Sequence, residues 1–401
     1  MRISTIQQFN LALNRILNLQ SDTSKFQTQI ATGRRINQPS DDPVAAAQAL
    51  RIDQRVNNVE QFNRNADFAS LRLKQQESAI NNVNDALQRV RELVIRGKTT
   101  SLSQADRGFI SQEIRQRADE VFDLANARNS SGEYIFAGSK VDVQAFSRQS
   151  SGAVVYNGDQ KTRDLQISEF RQINEGFSGH EIFMAIRNGN GDFVTESNAA
   201  NVGTARVIPA GVTDTTAFQR HDYRVVFTSA TTFDLIDDTA GATVLAAQSY
   251  VEDAAINFDG IEISLTGVPQ AGDEFSVSAS RNQSIFETLE TLNNTLEAAQ
   301  PSPAAEAKFQ ADMDRILGEL DGSLNGLREA QAVIGARQNT IESQQSANAE
   351  LSLQLQAAKS TLEDVDIVEA VGNLARTTNA LEAAQSAFVR VQSLSLFNFL
   401  R

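Results

Sequence analysis

The chain has 401 residues, enough for two or three domains with a sizeable core, and it lacks cysteine and tryptophan altogether. Disulfide frameworks, cysteine-based zinc sites and thiol chemistry are therefore excluded. A net charge of −14 argues against non-specific nucleic-acid binding, which requires a basic surface.

The start, Met1-Arg2-Ile3-Ser4-Thr5-Ile6, leads into no long apolar stretch, so a cleaved signal of the Sec type is not expected. No apolar run is long enough to span a bilayer, so no membrane segment is expected. From about Thr5 to Ala31 the spacing predicts a helix. Ile6, Phe9, Leu13 and Ile16 lie three and four apart, and Leu19, Thr23, Phe26 and Ile30 continue after a one-step slip. The stripe is narrow, as a coiled-coil seam requires. Gly33-Arg34-Arg35-Ile36-Asn37-Gln38-Pro39-Ser40-Asp41-Asp42-Pro43 then reads as a stop and restart, with Asp42 as N-cap and Pro43 in the first turn. Two roles fit the Arg34-Arg35 pair: holding this turn, or meeting a carboxylate of a neighbour.

A second helix is predicted from Pro43 to about Arg96, its three-four stripe running from Ala45 through Leu73, Gln76 and Ile80 to Val94. Ser103 with Asp106 reads as a capping box opening a shorter helix. From Tyr134 the pattern changes to alternating β-branched and aromatic residues between Gly, Asn and Asp turns. Val154-Val155-Tyr156 and Tyr223 to Phe227 are predicted strands, and Ile256 to Leu265 around Asp259-Gly260 a hairpin. Helix returns near Asn282. After Ser302-Pro303 a very long helical segment carries Leu320, Leu327, Ile334, Ile341, Asn348, Leu355 and Leu362 at every seventh position. Asn348, the one polar member, is suited to fixing register. Leu374, Leu381 and Phe388 continue in sevens after a shift, with Val391 beyond them.

The fold class expected is α+β: a long antiparallel coiled-coil rod made by the N- and C-terminal segments, with an inserted antiparallel β-sandwich-like domain. The segments are an N-terminal assembly helix at 1–42, the rod halves at 43–138 and 282–359, the β-domain at 139–281, and a C-terminal assembly helix at 360–401. Val141 to Ser280 holds eight Lys and Arg against 19 Asp and Glu, a net of −11, which suits a solvated outer face. A narrow apolar stripe must be covered to be stable. In the rod that cover is internal first and an interface second. At the extremes, no other predicted apolar surface is left to cover Ile6, Phe9, Leu13, Ile16, Leu19, Phe26, Ile30, Leu374, Leu381, Phe388 and Val391, so these are the candidate assembly residues, floppy in a monomer until neighbours cover them.

No catalytic, cofactor or metal residues are expected. His180 and His221 read as ordinary surface or turn histidines, Asn188 to Asp192 as a hairpin turn, and Asp237-Asp238 and Glu252-Asp253 as solvated loop charges. No P-loop, GxSxG, HExxH or dinucleotide fingerprint occurs.

The Thr32 to Pro43 segment resembles the N-terminal signature of the bacterial flagellin family. The tail resembles that family's C-terminal helix through Leu362-Glu363-Asp364-Val365-Asp366-Ile367, Leu381-Glu382-Ala383-Ala384-Gln385 and Leu394 to Leu400. The opening residues, Gly132-Glu133-Tyr134-Ile135-Phe136-Ala137-Gly138-Ser139, Tyr156-Asn157-Gly158-Asp159 and Ile173 to Phe183 are more similar to the hook–filament junction branch than to filament flagellins. The resemblance implies a secreted structural subunit of the extracellular flagellum. It implies export unfolded through the flagellar type III apparatus with a cytoplasmic chaperone. The implied partners are hook-associated protein 1 (FlgK) on one side, flagellin on the other, and copies of the same chain. A filament flagellin, or a secreted adhesin with flagellin-like ends, is the alternative.

Overall fold

The computed structural model describes residues 5–399, without the side chains of residues 5, 6, 8 and 391–399. The helices are α1 (Thr5–Thr32), α2 (Pro43–Gly97), α3 (Gln104–Ala125), α4 (Ile285–Glu297), α5 (Pro303–Glu363) and α6 (Ile367–Phe399), with strands gathered between α3 and α4. The chain divides into two compact units. A terminal unit takes the described residues up to Arg64 and from Ser343 onward; a central unit takes Asn65–Glu342.

The helix starts follow local chemistry. Asp42 Oδ1 accepts from the Ala45 amide at 3.0 Å, so α2 opens with Pro43 in the turn where a missing N–H costs nothing. Ser103 and Asp106 form the reciprocal capping box of α3. Ser302 Oγ accepts from the Ala305 amide at 3.2 Å ahead of α5. The return to helix comes slightly later than Asn282. Ser284 is the N-cap of α4, and Asn282–Gln283 is free to pair as a strand.

In the central unit α2 and α5 run antiparallel. Glu77 meets Gln338 at 2.9 Å, Asn81 meets Gln331 at 2.7 Å and Arg91 meets Asp321 at 2.6 Å. Their stripes close on each other: Leu73, Ile80, Val83, Leu87, Val90 and Val94 are buried with Leu320, Leu327, Ile334 and Ile341. Helices α3 and α4 extend this core through Ile114, Val121, Leu289 and Leu292. Gln76, a polar member of the α2 stripe, is fully paired. Its amide nitrogen donates to the Ile135 and Phe177 carbonyls at 2.7 and 3.0 Å, and its oxygen accepts from the Phe177 amide at 2.8 Å. Burial without cost requires that pairing.

The three sequence motifs around Tyr134, Tyr156 and His180 fold into one knot on this core. The Tyr156 hydroxyl donates to the Phe136 and Asp159 carbonyls at 3.0 and 2.8 Å, and the Gly179 amide donates to the Phe136 carbonyl at 2.7 Å. Burial pushes the Tyr156 phenol up to about 12, so it stays a neutral donor. A Cβ at Gly179 would lie 2.8 Å from both the Phe136 carbonyl and the Phe146 ring, so only glycine fits. Phe136, Phe146, Phe183 and Phe286 stack beneath, with ring centroids 5.2 to 6.0 Å apart.

Residues 139–283 hold two kinds of sheet. The short pairs β1 (Phe146–Arg148) with β2 (Val154–Tyr156), β3 (Asp164–Gln166) with β4 (Gln172–Asn174), and β5 (Ile186–Arg187) with β14 (Asn282–Gln283) lie on the helical side of the insertion. A separate sandwich follows. One sheet runs in the order β10 (Ala242–Ser249), β9 (Thr232–Asp237), β8 (Tyr223–Ser229), β13 (Glu274–Ala279), β6 (Phe193–Ser197), and the other β11 (Ala255–Phe258), β12 (Ile261–Thr266), β7 (Arg206–Val212). Every pairing is antiparallel. Inward residues alternate as a two-layer core demands: Tyr223, Val225 and Phe227 face Ile261, Ile263 and Leu265 within one cluster. The β11–β12 hairpin turns at Asp259 and Gly260, both with positive φ. Asn188–Asp192 is not a hairpin turn. It joins β5 to β6, which belong to different sheets, and Asn188 is tied instead to Arg281 and Ser280 on the returning strand.

The long C-terminal segment is not one helix. It breaks at Asp364–Asp366, where Asp366 Oδ1 accepts from the Val368 and Glu369 amides at 2.9 and 3.1 Å and caps α6 as a new helix.

Candidate assembly interface

The terminal unit is built from α1, the start of α2, the end of α5 and α6. Between α2 and α5, Asn348 is buried and its amide donates to Asn63 Oδ1 at 2.9 Å, a buried polar tie across the pair. Helices α1 and α6 run antiparallel to each other. Their near end lies at Gly33 and Val365, and further along Phe9 and Phe388 meet with ring centroids 5.0 Å apart.

This pair is covered far less than the α2–α5 seam of the central unit. Ile16, Leu19, Phe26, Ile30, Leu374, Leu381 and Phe388 are only half-buried. Phe9 and Leu13 are 44% and 38% exposed. The side chains of Ile6 and Val391 lie outside the described residues. The sequence stripe thus marks residues that α1 and α6 half-cover between themselves. Sequence reasoning missed Leu17, 52% exposed, which extends Phe9 and Leu13 at four-residue spacing into an apolar ridge. It also missed Val368, Val371 and Val389, all exposed on α6. The available signal was the four-residue run itself, masked by reading one seam per helix.

The Gly33–Pro43 loop closes the near end. Gly33, with φ +71°, turns the chain out of α1. The Val365 amide then donates to the Gly33 carbonyl at 3.0 Å, and the Arg35 amide to the Glu363 carbonyl at 2.6 Å. Arg34 and Asp364 form an antiparallel bridge. The Arg35 guanidinium donates to the Leu362 carbonyl at 2.9 Å and lies 3.6 Å from Asp42, while Arg34 lies 4.0 Å from Glu363. The Arg35 side chain therefore holds the turn, while Arg34 contributes through its backbone bridge to Asp364. Asn37 is tied to Thr32 and to the Arg34 carbonyl, Ile36 is half-buried, and Pro39 and Ser40 are exposed.

Asp41 accepts from the Gln38 and Asn37 amides at 3.0 and 3.1 Å. These bonds hold its carboxyl below the usual carboxylate range, with Lys25 at 3.6 Å adding to them. A depressed folded value means the stabilisation is present above the ordinary carboxylate range and is lost as pH falls through the folded value. The amides of Asn37 and Gln38 are thus expected to exchange faster in Asp41→Asn than in the native chain at pH 7. Hydrogen-exchange mass spectrometry should show that gap closing as acid protonates the native Asp41. A gap independent of pH would contradict the assignment.

Among the described residues no group of His, Asp and Glu is placed to hold a metal ion, and no helix is long and apolar enough to cross a membrane. His221 pairs with the buried Asp237 at 2.7 Å, inside the sandwich region.

Terminal helices that pair antiparallel and leave an apolar face open, with a β-domain inserted between them in sequence, define a flagellin-type structural subunit. Residues 3–141 match the bacterial flagellin N-terminal helical region, residues 317–400 the bacterial flagellin C-terminal helical region, and residues 196–279 a D2-like domain of flagellar hook-associated protein 1. Flagellar hook-associated protein 3 of Salmonella typhimurium is 32% identical over 46% of this chain and 58% of its own length. The Escherichia coli protein of the same name is 25% identical over 99% of both. The crystal structure of the flagellar junction protein FlgL from Legionella pneumophila superposes with a TM-score of 0.71 at 33% identity, covering 79% of this chain and all of that one. The chain belongs to the flagellar hook-associated protein 3 family, within the wider flagellin family.

Proposed function

We propose that the chain forms the junction layer between the hook and the flagellin filament, touching hook-associated protein 1 on one side and flagellin on the other. Its terminal helices polymerise with those of sister copies. One observation carries this reading: the apolar stripe of α2 and α5 is sealed in the central unit, whereas Phe9, Leu13, Leu17, Val368 and Val371 stay open on the terminal unit. Burying about 300 Å² of such surface per contact is worth roughly 7 kcal/mol before association costs. Repetition through a closed layer makes contacts of that size lasting. The role is structural and not enzymatic, and the acidic sandwich is the solvated outer face. The subunit is secreted through the flagellar type III export apparatus, held unfolded by a chaperone. This reading keeps five working parts: 1–42 and 360–401 for assembly, 43–138 and 282–359 as the rod, and 139–281 as the insertion.

The likeness of residues 196–279 to a domain of hook-associated protein 1 favours the junction over the filament role. Electron microscopy of cells lacking this chain is expected to show hooks without filaments, with flagellin released to the medium. Filaments of normal length in those cells would overturn the proposal. Several thousand copies per flagellum would point to a filament flagellin instead.

A further inference from the structure

We infer that the Gly33–Pro43 loop is a register clasp: by gripping the α5–α6 break it sets which turn of α1 faces which turn of α6, and so which apolar face the terminal unit offers to its neighbours. This deepens the assembly reading and rests on it. The need for such a device follows from the seam. Ile16, Leu19, Phe26 and Ile30 lie opposite a helix bearing Leu374, Leu381 and Phe388, and similar aliphatic residues repeating along a helix allow slips by a turn or a heptad at small cost. The α2–α5 pair meets this problem with the Asn348–Asn63 bond. Among the described residues of α1 the two buried polar ones are used otherwise. Thr23 donates to the Leu19 carbonyl of its own helix at 2.7 Å, and Gln29 donates to the Arg35 carbonyl at 2.7 Å.

Gln29 thus ties the last turns of α1 to the loop. The loop in turn is fixed to the other end of the chain by two backbone bonds and by Arg35. The Arg35 fork spans two anchors, the Leu362 carbonyl and Asp42, which a single-point cation cannot reach together. Lys359, near Glu363 at 3.8 Å and bonded to Asp53, binds the same end of α5 to the start of α2. All four helix ends of the terminal unit therefore meet at one fixed point, from which α1 and α6 run out with a defined phase. Arg35 is a positioning residue. It lies in the clasp, and the exposed ridge it orients begins more than four turns away, at Leu17.

The absence of cysteine from the chain makes the register directly measurable. Full-length protein carrying Phe9→Cys and Phe388→Cys is treated as the free subunit with a short bis-maleimide, the cross-link within one subunit is quantified, and joining to hooks is scored separately. Adding Arg35→Ala is expected to lower the yield at least fivefold, and Arg35→Lys to restore it only partly. Arg34→Ala, which removes one exposed charge 4.0 Å from Glu363, should leave it unchanged. Gly33→Ala attacks the clasp from the backbone: its added Cβ meets nothing within 4 Å, so only the positive φ is strained, and the same loss is expected. Circular dichroism of each variant confirms that the helices are retained. An undiminished cross-link in both Arg35→Ala and Gly33→Ala overturns the clasp, whatever their assembly. A native-clasp protein that cross-links fully but never joins a hook counts against the assembly reading alone.

Discussion

Leu17→Asp combined with Val371→Asp is expected to leave the subunit folded and exported but absent from flagella, with incorporation falling at least a hundredfold. Both side chains are about half exposed in the single chain, so the change disturbs no core. In the assembled layer the same positions would be covered by neighbours. Two carboxylates forced out of water without partners cost several kcal/mol each, which exceeds what a contact of a few hundred Å² returns after association entropy. The subunits should therefore collect in the medium beside bare hooks, detectable by immunoblot of supernatant and sheared flagella. Leu17→Met, which keeps an apolar side chain, should incorporate normally. Normal incorporation of the double aspartate variant would mean that these faces are not buried in the polymer.

The second large effect concerns stability and not assembly. Phe183→Ala is expected to destabilise the central unit by about 3–5 kcal/mol, the usual cost of deleting a fully buried aromatic ring. Phe183 is fully buried. It meets Phe136 edge-on at 5.2 Å, Phe146 at 5.4 Å and Phe286 at 6.0 Å. Its π-helical turn, His180–Met184, is the last part of the knot that closes the helical core before the sandwich begins. Phe170→Ala supplies the contrast, because that ring is 93% exposed at the turn between β3 and β4 and should change stability by less than about 0.5 kcal/mol. Chemical denaturation followed by circular dichroism measures both. A Phe183→Ala change under about 1 kcal/mol would show that the knot is dispensable.

Periodicity made the helical framework readable. A seven-residue run from Leu320 to Leu362 can be satisfied only by a long buried face, and the structure buries Leu320, Leu327, Ile334, Ile341, Asn348 and Leu355. The shift in that run between Leu362 and Leu374 coincides with the place where α5 ends and α6 begins, because a broken helix resets its phase. Strand positions were readable where inward residues alternate strictly, as at Tyr223 to Phe227. Topology was not. Nothing local in Asn188–Asp192 says that its two flanking strands pair elsewhere, since their partners lie some ninety residues away at Ala279 and Asn282. The open face was half-readable for a similar reason. Sequence shows which residues of a helix want cover, but Ile16 and Leu19 differ from Leu17 only through where α6 lies. The clasp was visible as a motif, and its grip on Leu362 to Val365 joins residues more than three hundred positions apart.

A single reporter cysteine tests the central claim most directly. Leu17→Cys in the otherwise cysteine-free chain should react readily with a water-soluble maleimide in the free subunit, and at least tenfold more slowly once the subunit sits between hook and filament. Equal labelling rates in the two states would show that the ridge stays wet after assembly, and burial of the terminal helices could not be what holds the junction.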